Sequence, residues 1–141
     1  MKARQPFFAR PESAGDARRF VAETLRDWGL PGLVEPATLL VSELVTNALL
    51  HARSEIDVTL VVDHDELRVE VHDASRAVPR ARRYSPEAAT GRGLHMLDCV
   101  ATDWGVRATA SGKAMWFTIS TMHPSGLEQE MSFDFDHVEP L

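Results

Sequence analysis

A carboxylate, an amide and an imidazole recur every four residues in the segment 43–51. If this segment is helical, Glu43, Asn47 and His51 lie one turn apart on one face. The residues between them are mostly apolar, so the polar row follows a helix that otherwise builds a core. Buried polar groups of this kind are costly unless they have partners or a ligand. Together they can polarise a hydroxyl or a water and ligate a hard cation such as Mg²⁺. The alternative is a solvated helix face.

A second candidate group stands at the end of a strand pattern. Residues 69–75 alternate between apolar and polar side chains, and the alternation stops at Asp73, which is followed by small residues. A carboxylate at a strand end can accept a hydrogen bond from a ligand. The alternative is an aspartate that only caps a turn.

A glycine-containing segment precedes a further apolar run. Gly91, Arg92, Gly93 and Leu94 occur in that order. Glycines let backbone N–H groups approach phosphates closely, and the start of a helix favours anions. Arg92 adds a positive charge there, and residues 76–92 together carry a charge of +4. This basic segment suggests a lid over a phosphate site or a contact for an acidic partner; the alternatives are a plain loop-to-helix turn and a solvated loop.

The order and spacing of these segments resemble the GHKL ATPase family. Glu43 and Asn47 resemble its N box, Asp73 resembles its adenine-recognising aspartate, and segment 91–94 resembles its glycine box. Within the family, the chain most resembles the small bacterial anti-sigma-factor serine kinases. The resemblance covers residues 10–121 and continues through Asp103-Trp-Gly and the segment 112–117.

The resemblance implies a fold, ligands and roles. The fold would be the Bergerat α/β two-layer sandwich, a mixed and mostly antiparallel sheet covered on one face by about three helices. ATP and Mg²⁺ would be the cofactors, with Asn47 as the metal ligand and Glu43 as the catalytic base. The nucleotide-binding residues would be Asn47, His51, Asp73, Gly91, Arg92, Gly93 and Leu94. A sigma factor and its anti-anti-sigma antagonist protein would be the partners, and a homodimer is a common arrangement.

The chain departs from the family pattern at two places. Many GHKL proteins have Asp-x-Gly-x-Gly where this chain has Asp73-Ala-Ser-Arg-Ala. Ala114 takes the place where a threonine often supports the water network beside adenine. Both changes predict weaker nucleotide binding or an altered pocket.

Three functions follow from these observations. The first is an ATP-dependent kinase that phosphorylates a Ser or Thr on an antagonist protein and also sequesters a sigma factor. The second is an interaction module that keeps the fold but acts by partner binding alone. The third is a catalytic domain that serves a separate histidine-bearing protein. The intact Glu43 favours the first function, and the altered loop after Asp73 favours the second.

Length and charge limit the remaining possibilities. The 141 residues suit one domain over 1–121, followed by an acidic tail over 122–141. Five of the six net negative charges lie in that tail, and the near-neutral body argues against nucleic-acid binding. We expect no membrane-spanning segment, and the absence of a signal-peptide pattern predicts a cytoplasmic protein.

Periodicity and turn residues predict the elements. A first edge strand is expected at 5–10, and a helix with a capping box from Ser13 to Asp16 should end at Gly29. The second helix should carry the polar row to about residue 52. The remaining predictions are a hairpin of strands 56–62 and 67–71 turning at 63–65, a helix at 93–100 with Cys99 in the core, and strands 104–109 and 115–121 with a turn at 111–112.

Overall fold

The computed structural model describes residues 1–51, 55–75 and 97–122. These residues form five strands and two long helices, and residues 97–100 are also helical. In chain order the elements are β1 (Lys2–Phe7), α1 (Glu12–Asp27), a short 3-10 turn (Pro31–Leu33), α2 (Val34–His51), β2 (Ile56–Asp63), β3 (Glu66–Asp73), β4 (Asp103–Thr109) and β5 (Gly112–Ser120).

The five strands form one sheet in the order β1-β2-β3-β5-β4, and every pairing between described strands is antiparallel. Helices α1 and α2 pack on one face, and the core lies between the layers. The predicted α/β sandwich is therefore confirmed. Strand β1 is an edge strand and contains Pro6, as expected, although it begins at Lys2 rather than residue 5.

The sequence predicted the end of α1 correctly but not its start. The predicted capping box is wrong, because the helix begins at Glu12 and no side chain caps it. Ser13 lies inside the first turn and its hydroxyl donates to the Phe8 carbonyl instead. At the other end Gly29 has a φ of 75°, and the Leu30 N–H donates to the Leu25 carbonyl at 2.8 Å. This is the predicted glycine stop.

Helix α2 is the central helix of the core. It carries fully buried apolar residues along its length and packs on both α1 and the sheet. Residues 31–50 have a mean hydropathy of 1.4 and half of them are buried in the protein. By length and composition alone this helix could cross a membrane, a test that the core helix of a globular protein also passes. In this structure the apolar side chains of α2 pack in the hydrophobic core.

The hairpin of β2 and β3 is confirmed, with His64 and Asp65 at its turn. Along β3 the side chains alternate between the two faces of the sheet. The helix-facing positions of β3 are Leu67, Val69, Val71 and Asp73, and all four are buried. Asp73 thus continues an apolar row into the core.

The opposite face of the sheet carries an ion-pair network centred on Glu70. Its carboxylate contacts Arg68 at 2.6 Å and both His72 and Arg107 at 2.9 Å. Burial raises the pKa of Glu70, but the hydrogen bonds from Arg68 and His72 and the charges of Arg107 and Arg68 outweigh it. The pKa of Glu70 therefore lies below its ordinary value. This face of the sheet is polar rather than apolar.

The C-terminal hairpin differs from its prediction in where β5 begins. The turn is at Ala110 and Ser111, so β5 starts at Gly112, three residues earlier than expected. The earlier start brings Lys113 into the sheet. Cys99, expected in the core, is exposed. The predicted helix at 93–100 is described only from residue 97 onward.

Candidate functional site

A buried ion pair joins the ends of β3 and β5. Asp73 and Lys113 are register partners in the sheet, and their side chains are each only 1% exposed. Lys113 Nζ lies 3.0 Å from Asp73 Oδ2. Burying two charges is expensive unless they pair and find further hydrogen bonds. The sequence therefore places an energetically costly ion pair where β3 ends.

The hydrogen bonds of this pair are incomplete. Asp73 Oδ1 accepts a hydrogen bond from the Ser75 backbone N–H at 2.8 Å. Asp73 Oδ2 and Lys113 Nζ are close in space, yet neither has an aligned hydrogen-bond partner among the described residues. An ammonium has three donors and a carboxylate has about four acceptor positions. The pair can therefore still accept and donate hydrogen bonds to a ligand.

Asn47 is the second buried polar group on this side of the sheet. It is 2% exposed, and its Nδ2 donates to Met115 Sδ at 3.2 Å. Its Oδ1 has no hydrogen-bond partner within the described part of the chain. Met115 and Lys113 are two residues apart on β5, so both face the helix layer. Asn47 and the ion pair thus border the same region beneath α2.

Gly112 lets the end of β3 pack closely against β5. A Cβ at this position would lie 2.0 Å from the Asp73 carbonyl oxygen and 2.7 Å from Ala74 Cα. No other residue fits there without moving the backbone of Asp73. The glycines typical of the family after Asp73 are absent, and the close contact at Gly112 joins the backbones of the two strand ends.

The structure corrects the assignment of Ala114. Ala114 is the register partner of His72, whose side chain lies on the opposite face of the sheet from Asp73. Lys113, not Ala114, faces the aspartate. The position opposite Asp73 therefore carries a cation rather than a methyl group.

Glu43 lies one turn before Asn47 on α2, as the spacing predicted. It is half-buried and lines a groove of about 320 Å³ together with Arg18, Thr38 and Ser42. Arg18 donates to the Ser42 hydroxyl at 3.0 Å, and Glu43 forms no ion pair with any described residue. Its carboxylate can therefore be reached from outside.

The remaining predicted site residues lie where the structure gives no account of their side chains. His51 ends α2, but its side chain is outside the described residues. Gly91, Arg92, Gly93 and Leu94 are also outside them, as is the basic segment 76–92. Their proposed roles at the phosphates remain predictions.

Lys113 is the buried polar residue of this candidate site that sequence reasoning missed. The alternation of β5 places Met115, Phe117 and Ile119 toward the core, and Lys113 occupies the same face. A lysine at a core position of a strand is an unusual placement that marks a special environment. The alternation of β5 could have revealed Lys113, but only if the predicted strand had begun at Gly112 instead of Met115.

A larger cavity of about 430 Å³ lies on the opposite face of the sheet, away from Asn47 and Asp73. It is lined by Lys2, Arg4, Asp57, Thr59, Val61, Arg68, Glu70, His72 and Ser111. Most of these polar groups are already paired with one another. Among the described residues that line this cavity, only Asp57 has a buried side-chain atom without a hydrogen-bond partner, its Oδ1, whereas Asn47, Asp73 and Lys113 each have one beneath α2. The number of such groups, rather than cavity size, therefore selects the site beneath α2.

Comparison with known proteins identifies the family of the chain and agrees with its fold. A family model described as "Histidine kinase-like ATPase domain" matches residues 7–119. The histidine kinase domain of the Erythrobacter litoralis EL346 blue-light activated histidine kinase has a similar structure, with a TM-score of 0.52 and 19% sequence identity. That similarity covers 79% of this chain and 60% of the other. No curated protein sequence matches the chain significantly.

Proposed function

Because the chain belongs to the histidine kinase-like ATPase domain family, we propose that it binds ATP with Mg²⁺ and phosphorylates a serine or threonine of an antagonist protein. The observation that carries the proposal is a group of buried polar side chains with incomplete hydrogen bonding: Asn47 on the helix that also presents Glu43, and Asp73 and Lys113 on the facing strands.

Each group has a distinct task in this proposal. Asp73 accepts a hydrogen bond from the adenine amino group and thereby selects adenine over guanine, which has a carbonyl at that position. The Oδ1 atom of Asn47 fits Mg²⁺, which prefers oxygen ligands and keeps most of its shell as water and phosphate oxygens. The ion would neutralise charge on the phosphates. Glu43 accepts the proton of the incoming hydroxyl.

The regulatory part of the proposal rests on resemblance to the small bacterial anti-sigma-factor kinases. In it, the protein sequesters a sigma factor in the cytoplasm and releases it when the unphosphorylated antagonist binds. The open groove beside Glu43 supports this role, because a serine-bearing loop of a partner can reach the carboxylate there.

A second candidate function is a binding module that sequesters partners without phosphotransfer. The specific observation in its favour is Lys113, whose ammonium already occupies one oxygen of Asp73. In this case the nucleotide, if bound, would act only as a conformational ligand.

The chemical stability of the product distinguishes these functions. We expect the full chain, incubated with Mg²⁺ and γ-labelled ATP, to label purified antagonist proteins of the same organism. Phosphoserine and phosphothreonine survive acid, whereas phosphohistidine does not, so the label should survive acid treatment. Acid-labile labelling would indicate a histidine substrate and contradict the proposal. A partner that binds with no labelling at all, while ATP binds, would support the binding module instead.

A further inference from the structure

The buried ammonium of Lys113 has a further use that the kinase proposal leaves open. Its Nζ atom is fully enclosed, lies 3.0 Å from Asp73 Oδ2 and has no aligned hydrogen-bond partner among the described residues. A buried ammonium with unused donors is costly, and a ligand that accepts a hydrogen bond would offset that cost.

We propose that Lys113 is a base-reading residue that donates a hydrogen bond to N1 of the adenine ring while Asp73 accepts one from the N6 amino group. This proposal rests on the proposed ATP-binding function and adds a second contact to it. The family resemblance predicted no direct side-chain donor at this position, since Ala114 was expected there.

The chemistry of the two partners is complementary. Adenine presents an amino donor and a ring-nitrogen acceptor side by side on one edge. Asp73 and Lys113 present an acceptor and a donor within 3.0 Å of each other. The Oδ1 atom is occupied by the Ser75 N–H, and Oδ2 keeps an acceptor position beside the ammonium. One edge of the base can therefore meet both groups.

The backbone holds the two groups in place. Asp73 and Lys113 are direct register partners, and β3 is paired with β5 along its full length. Gly112 keeps the ends of the two strands in contact, since any Cβ there would displace the Asp73 carbonyl. The donor and the acceptor are therefore preorganised before a ligand arrives, which reduces the entropy lost on binding.

Nucleotide analogues test each contact in the unaltered protein. We would measure the Kd of ATP, of 1-deaza-ATP, in which N1 is replaced by CH, and of purine riboside triphosphate, which lacks the amino group, all with Mg²⁺. A hydrogen bond to a charged group contributes enough that each analogue should bind about 10- to 100-fold more weakly than ATP. Equal binding of ATP and 1-deaza-ATP would overturn the role of Lys113.

Variants then assign the N1 contact to the lysine. Lys113→Met should weaken ATP binding. The variant's Kd values for ATP and 1-deaza-ATP should lie within about threefold of each other, because the N1 contact is lost. It should still bind purine riboside triphosphate more weakly than ATP. Lys113→Gln, a neutral donor, should recover part of the N1 discrimination. Lys2→Met is the matched control, because Lys2 is the other lysine of the chain and lies on the opposite face of the sheet.

The outcomes separate this inference from the proposed function. If Lys113→Met binds ATP more tightly, the lysine blocks the aspartate rather than reading the base, and the inference is wrong although the ATP site stands. The inference is also wrong if Lys113→Met prefers ATP over 1-deaza-ATP as strongly as the wild-type protein does. If folded wild-type protein binds none of the three nucleotides, the ATP-binding function itself is wrong.

Discussion

Replacing Glu43 by glutamine should abolish phosphotransfer while leaving ATP affinity within about twofold of wild type. A positioned general base contributes about 10²- to 10⁴-fold to a rate, and glutamine cannot accept the hydroxyl proton. The substitution keeps the size of the side chain, and Glu43 has no ion pair among the described residues whose loss would disturb the fold. The measurement is the initial rate of antagonist phosphorylation together with the Kd of ATP.

A control for this experiment lies on the same helix. Glu35 lines the same groove two turns earlier and is exposed, so Glu35→Gln alters the charge of the groove without touching the proposed base. We expect Glu35→Gln to keep the wild-type rate. Equal rates for Glu43→Gln and wild type would show that the carboxylate of Glu43 is not the base.

The second large effect concerns folding stability. Asp73→Asn should lower the free energy of unfolding by about 3–5 kcal/mol, because it leaves the buried ammonium of Lys113 without its opposite charge. Lys113→Met should destabilise for the converse reason. The double variant should lose clearly less than the sum of the two single losses, since it buries no unpaired charge. Urea denaturation of the four proteins measures this coupling.

A more exposed ion pair serves as the comparison for this cycle. Arg4 and Asp57 are 3.0 Å apart on the open face of the sheet, with side chains 63% and 26% exposed. Asp57→Asn should therefore cost less than about 1 kcal/mol. Additive losses at Asp73 and Lys113 would mean that the two groups do not interact in the folded protein.

Helix α2 could be predicted because its position and its faces follow from residues close together in the sequence. The spacing of four residues predicted that Glu43 and Asn47 lie one turn apart on a helix, and α2 contains both residues. The alternation of apolar and polar residues likewise predicted that β3 ends at Asp73. The stop at Gly29 was equally local, since a residue with positive φ ends the helix there. In each case a few neighbouring side chains determine the geometry.

The partner of Asp73 could not be predicted in the same way. Lys113 follows Asp73 by forty residues, and their contact depends on the register of β3 against β5. A shift of one residue moves every side chain to the opposite face, so the choice between Lys113 and Ala114 depends on where β5 begins. The capping box predicted for α1 was wrong for a related reason. The hydroxyl of Ser13 donates to the Phe8 carbonyl, which lies outside the segment 13–16 on which the prediction was based.

Calorimetric titration of the full chain with ATP, with and without Mg²⁺, tests the central claim most directly. We predict saturable binding that requires Mg²⁺ for full affinity, and loss of that Mg²⁺ dependence in Asn47→Ala, which removes the buried Oδ1 atom. Circular dichroism establishes that both proteins are folded. Absence of ATP binding by folded wild-type protein would contradict the account and leave an interaction module built on an ATPase fold.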